Sequence, residues 1–206
     1  WSVSDDGTVY NFKLRDNLID HSGRQWKAWD VAYPIWRYMA RPNDAPFRRI
    51  LCYQQSPHVP LDPDGPAAGT GIEVIGDLEF RINLEVAVGW FLPCLAQHFS
   101  IIGNGELYKP IDKSGTFREL SPDDGEIIGT GPYKLVSYDR GNLWVAERHD
   151  QYFKEGLPYI DRVETANVTE NATKFAGIRA EQWDGYLLGD CCSINLTDTR
   201  PVKRAL

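Results

Sequence analysis

"GTGPYKLVSYDRGNLWVAERHDQYF" (Gly129–Phe153) is the stretch on which the fold turns. It admits three readings: a phosphate-cradling loop, part of an active site, or a hairpin of a larger binding protein. The phosphate reading needs G-x-G-x-x-G opening a helix. Here Lys134 stands at the third glycine position, and Pro132 and strand-like residues follow Gly131. Asp139-Arg-Gly-Asn142 splits two apolar-rich runs. The spacing predicts strands over 132–138 and 143–149 joined by a turn at 139–142.

The same alternation recurs upstream. Residues 1–14 predict a hairpin: Asp6-Gly7 is a strong turn signal, and Tyr10, Phe12 and Leu14 alternate with Val9, Asn11 and Lys13. A second turn falls at "DHSGR" (20–24), and a further hairpin at 71–84. Between them, residues 25–40 have helical spacing, with Ala28, Val31, Ile35 and Met39 near one face. Pro34 lies inside that run and predicts a kink or a late start. Residues 54–70 read as loop. Residues 88–99 suit a buried helix, against which Pro93 argues, and 100–109 read as a short strand and a turn into a helix start. Residues 157–168 predict a strand. Residues 169–184 predict an amphipathic helix capped at Thr169 or Asn171, with Ala172, Phe175, Ile178, Ala180 and Trp183 in order. Residues 184–196 return to extended chain. The turn-rich 113–128 marks a domain boundary.

Composition narrows the function classes. The chain has 206 residues, 42% of them hydrophobic, enough for one large core or two small ones. Its net charge of −7 and lack of a Lys/Arg cluster disfavour nucleic acid and anionic membranes, which demand a basic face. No run of 18 apolar residues is present. The chain begins at Trp1 and reads as a piece at both ends.

No catalytic or metal signature emerges. G-x-x-x-x-G-K-[ST], G-x-S-x-G and H-E-x-x-H are all missing from the sequence. Cys52, Cys94, Cys191 and Cys192 lack metal-ligand spacing; they read as free thiols, with a Cys52–Cys94 disulfide as the alternative. The four histidines, at 21, 58, 98 and 149, are far apart. Asp5-Asp6 and Asp123-Asp124 precede glycines and read as turn residues. Cys94 and His98 form an i, i+4 pair in which a nucleophile and base are conceivable, with packing as the plainer reading. The residues alone describe an α+β protein suited to binding rather than catalysis.

Several blocks in order carry a more specific reading. In "WSVSDDGTVYNFKLRDNLIDHSGRQWKAWDVAYPIWRYM", Trp1, Asp6, Gly7, Phe12, Leu14, Arg15, Gly23, Ala28, Asp30, Val31 and Arg37 fall into a familiar pattern. "GIEVIGDLEFRINL" follows, and then Gly129 to Tyr133, Arg148, Tyr152, Pro158, Tyr159, Asp161 and Val163. Together they resemble the bacterial extracellular solute-binding proteins of family 5, the oligopeptide, dipeptide and nickel binding proteins of ABC importers.

That resemblance implies an α+β piece of a two-lobed periplasmic binding protein, with mixed sheets and flanking helices. Residues 1–125 would be most of the small subdomain of the first lobe, and 126–206 a section of its large domain. The N-terminal strands and second lobe would lie outside this sequence. It implies a non-catalytic component with no cofactor or metal. Partners would be a peptide or other small solute and ABC permease subunits, the protein acting as a monomer. Its location would be periplasmic or extracellular, with a lipid anchor in some relatives. Pro46-Phe47 resembles the place where an aromatic reaches the amino end of a bound peptide. Phe47 is thus the candidate ligand-binding residue, with simple packing as its alternative. The sequence departs from the family pattern at Pro34, at Pro93 and at Cys191-Cys192 after Asp190. Two other functions stay open: a truncated relic or interaction module, and a hydrolase using Cys94 or an acidic pair.

Overall fold

The structure is a computed structural model that describes residues 1–40, 71–95, 104–114, 120–186 and 192–197; for 38–40, 94, 186 and 192–197 only the backbone is described. The chain divides into two units. Trp1–Leu18 with Gln25–Leu120 forms the first, and Ile19–Arg24 with Ser121–Leu206 the second.

In the first unit, β1 (Ser2–Val3), β2 (Val9–Lys13), β3 (Ile72–Gly76) and β4 (Glu79–Asn83) form one sheet in the order β1-β2-β4-β3. The first hairpin closes as its Asp-Gly signal predicts: Gly7 has φ of +74°, a left-handed conformation glycine adopts at little cost. Asp6 accepts hydrogen bonds from Ser4 Oγ at 2.5 Å, Thr8 N at 3.0 Å and Thr8 Oγ1 at 2.8 Å. The period-2 alternation sets the register, placing Tyr10 opposite Ile82 and Phe12 opposite Phe80. The two Phe rings stack at 5.0 Å.

Helix α1 (Ala28–Ala40) packs on β3 and β4 through the predicted face, with Ala28, Val31, Ala32 and Ile35 buried. Its start is fixed by Asp30, whose Oδ2 accepts from Lys27 N at 2.8 Å, one arm of a capping box. The helix continues through Pro34. The missing donor costs about 3 kcal/mol. Against it stand Tyr33, Ile35 and Trp36, all buried, each contributing about 1.5–3 kcal/mol on the scale of large apolar side chains. Packing therefore outweighs the break. α2 (Phe91–Leu95) likewise contains Pro93. α3 (Gly105–Lys113) begins at Asn104, whose Oδ1 accepts from Glu106 N at 3.0 Å. Gly105 lets α3 approach α1 closely: a Cβ there would lie 3.1 Å from both Asp30 Cα and Trp29 O.

In the second unit, β5 (Tyr133–Asp139), β6 (Leu143–Arg148), β7 (Arg162–Asn167), β8 (Gly185–Tyr186) and β9 (Cys192–Thr197) form a sheet in the order β5-β6-β7-β9-β8. The opening stretch is thus a hairpin, as its alternation predicts. Asn142 N donates to Asp139 O at 3.0 Å, and Gly141 takes φ of +76°. The strand expected over 157–168 occupies only its second half, after Pro158, which brings no ladder donor.

Helix α4 (Asn171–Arg179) departs from expectation at both cap and face. Its N-cap is Glu170, with no side-chain hydrogen bond to the cap, rather than Thr169 or Asn171. Its buried residues are Lys174 and Gly177, while Phe175 is exposed. Trp183 folds back over Gly177 so closely that a Cβ there would collide with its ring.

The α+β class holds. Within it, every described strand pair in both sheets is antiparallel, not mixed, and tight turns join β1 to β2, β3 to β4 and β5 to β6.

Candidate functional site

The candidate binding residue Phe47 lies outside the described residues, as do Cys52, His58, His98 and Cys191. Cys94 is on α2, and Cys192 opens β9. The acidic pairs sit at turns. The Asp6 hydrogen bonds, from Ser4 first and then Thr8, hold its carboxyl below the usual range of 3.8. Asp123 and Asp124 are the central residues of a turn closed by Gly125 N donating to Pro122 O at 3.2 Å. No convergence of carboxylates results at either place.

The structure instead assembles two polar groups that sequence spacing does not reveal. The first is in the α1–α3 contact. Arg37 Nε donates to Asp112 Oδ2 at 2.7 Å, and Tyr33 Oη donates to the same oxygen at 3.0 Å. The guanidinium also lies over the Tyr108 ring, 4.0 Å from its centroid. Arg37 and Asp112 are both about 1% exposed. Such a pair, desolvated and hydrogen-bonded, orients two helices; it is not placed to react.

The second group gathers around Gly131 in the second unit. His21 Nε2 and His149 Nδ1 each lie 3.2 Å from the Gly131 carbonyl oxygen. Gly129 N donates to His21 Nδ1 at 3.3 Å. The rings meet edge to face, 5.0 Å between centroids. Burial pushes His21 below its ordinary 6.5; the Gly131 hydrogen bond opposes this, His149 and Lys134 add to it, and Asp20 opposes it.

A groove of about 360 Å³ also crosses the first sheet, lined in part by Trp1, Asn11, Ile75 and Arg81. Its polar groups already pair: Arg81 Nε donates to Asn11 Oδ1 at 2.9 Å, and Lys13 lies 3.3 Å from Glu79. Among the described residues, no cluster of three or more His, Cys, Asp or Glu side chains is placed to hold a metal ion. No helix among them is long and apolar enough to cross a membrane.

A family model described as "Bacterial extracellular solute-binding proteins, family 5 Middle" matches residues 1–197. The chain belongs to this family. Family 5 comprises the non-enzymatic solute-binding proteins of ABC importers.

Among curated family 5 relatives, Heme-binding protein A of Haemophilus influenzae is 28% identical over the whole chain and 37% of its own length. Probable di/tripeptide-binding protein 5 of Pseudomonas aeruginosa is 29% identical over 78% of the chain and 30% of its own length. The substrate-binding domain of an oligopeptide ABC transporter from Bacillus anthracis superposes with a TM-score of 0.75 at 24% identity. That match covers 91% of this chain and 35% of the other. An oligopeptide-binding protein from Borrelia burgdorferi gives 0.72 at 24% identity, over 89% and 36% respectively. The structural matches establish a shared fold. The chain spans about a third of the length of the relatives it matches.

Proposed function

We propose that this chain forms part of the substrate-binding component of an ABC importer that captures peptides or similar small solutes for uptake. The observation that carries the proposal is the family match over residues 1–197, which spans both units. Peptide-type solutes are favoured because several relatives are named for them, including the di/tripeptide-binding protein and a dipeptide-binding protein of Bacillus subtilis. A Helicobacter pylori relative is described in complex with the peptide STSA.

In this reading, residues 1–125 serve as the small subdomain of the first lobe and 126–206 as part of its large domain. The solute binds as two lobes close, and selectivity follows from its better fit to the closed state. Phe47 offers an aromatic face to the amino end of the solute. The loaded protein then docks, as a monomer, on permease subunits in the periplasm or at the cell surface.

The test is a thermal melt of the full-length parent with di- and tripeptides, glutathione, haem and nickel–histidine. A ligand at 100 times its Kd stabilises by about 2.7 kcal/mol, a plainly visible rise in Tm. A rise with peptides that shrinks in Phe47→Ala supports both the function and the residue. No rise with any of these solutes overturns the solute-capture reading.

A further inference from the structure

The excursion Ile19–Arg24 leaves the first unit after Leu18 and returns at Gln25, its base closed by Trp26 N donating to Leu18 O at 2.9 Å. Within the excursion, Asp20 organises the turn. Its Oδ1 accepts from Ser22 N at 2.9 Å and Arg24 N at 3.0 Å. His21 then fastens this turn to Gly129–Gly131. Its backbone N donates to Gly129 O at 3.0 Å, and its ring bridges Gly131 O and Gly129 N.

This geometry dictates a protonation state. A carbonyl only accepts, so His21 Nε2 carries the hydrogen. A backbone N–H only donates, so His21 Nδ1 offers its lone pair. The ring is therefore neutral. His149 spends its Nδ1–H on the same carbonyl, and its Nε2 is buried without a hydrogen-bond partner among the described residues. A proton on His21 Nδ1 would face the Gly129 N–H instead of accepting from it.

We propose that His21 and His149, joined at the Gly131 carbonyl, form an acid-released latch that holds the Ile19–Arg24 excursion on the Gly129–Gly131 segment. The titratable and charged groups that face His21 are Asp20, on its own turn, Lys134, on β5, and His149, just after β6. Asp20 favours the protonated ring, but its carboxylate is engaged by Ser22 and by Arg24, whose Nε lies 3.6 Å away. His149 and Lys134 disfavour it. A histidine held neutral in the fold takes up its proton only when the latch opens. The latch is therefore tight above the ordinary value of 6.5 and loosens as pH falls below it.

NMR on the intact protein tests this. The ring nitrogen shifts of His21 should report the Nε2–H tautomer at pH 7.5 and a midpoint below 6.5. Protection of the Gly129 amide, corrected for intrinsic exchange, should fall roughly tenfold per pH unit below that value while the closed ring stays neutral. His21→Gln should flatten this dependence, and His149→Asn should move the His21 midpoint upward. An Nδ1–H tautomer, a midpoint at or above 6.5, or an unchanged pH dependence in His21→Gln would overturn the latch. An unmoved midpoint in His149→Asn would remove His149 from it. The wild-type spectra decide the matter even if a variant fails to fold. None of these readouts depends on solute binding.

Discussion

The two units bury their side chains in different ways. Around α1 the first unit buries, among its described residues, fifteen apolar residues in one cluster, Trp36 and Tyr33 among those with no exposure. The second unit, among its described residues, buries only Val145, Ala146 and Pro158 of apolar side chains, alongside Asp20, His149, Thr165 and Lys174. Its sheet leaves Val136 and Trp144 partly exposed and carries ion pairs instead, such as Arg162 with Glu147 at 3.0 Å and Glu164 at 2.8 Å. Exposed pairs of this kind contribute little. Among the described residues, the first unit is dominated by packing with the Arg37–Asp112 ion pair set into it, and the second by backbone ladders and local hydrogen bonds.

Native-state hydrogen exchange reads each unit separately and so tests this contrast. The largest effect is expected for Asp112→Ala. Removing one partner of a buried pair typically costs about 3–5 kcal/mol, here confined to the first unit. A loss below 1 kcal/mol would mean that the α1–α3 contact does not depend on the pair. Gly105→Ala should cost about 1–3 kcal/mol in the same unit, because its Cβ meets backbone rather than a movable side chain. Val136→Thr, on the exposed side of β5, should change the second unit by less than about 0.5 kcal/mol. A larger loss would show that this surface is covered. The smallest effect is one of order on acidification. His21 has a lowered value in the fold, so its contribution to the second unit fades as pH drops below 6.5. Asp6 is also lowered, but as a carboxylate it keeps its contribution above 3.8 and loses it as pH falls through its folded value. The second unit should therefore soften first, and the reverse order would break the comparison.

What was legible in the sequence follows the same division by range. The hairpins at 1–14, 71–84 and 132–149 could be read because alternation and Asp-Gly or Asp-Arg-Gly-Asn turns are local properties. So could the inner face of α1. Its passage through Pro34 could not, since that depends on how much the surrounding residues bury. On α4 the apolar spacing pointed Phe175 inward, whereas the buried positions are Lys174 and Gly177, with Trp183 lying on Gly177. The ligand-binding candidate Phe47 came from resemblance alone. The Arg37–Asp112 and His21–His149 pairs join residues 75 and more positions apart. Only the fold creates such neighbours, and the lone signal was that Arg37 matches a family position.

The Ile19–Arg24 excursion also sets a schedule for synthesis. The segment it fastens to, Gly129–Gly131, leaves the ribosome about a hundred residues later, which at 5–20 residues per second is a delay of about 5–20 s. The first unit's sequence is completed only near the end of that interval, at Leu120, while the six-residue Ile19–Arg24 turn waits for the Gly129–Gly131 segment. The Ile19–Arg24 turn is thus made well before the segment of its own unit that receives it.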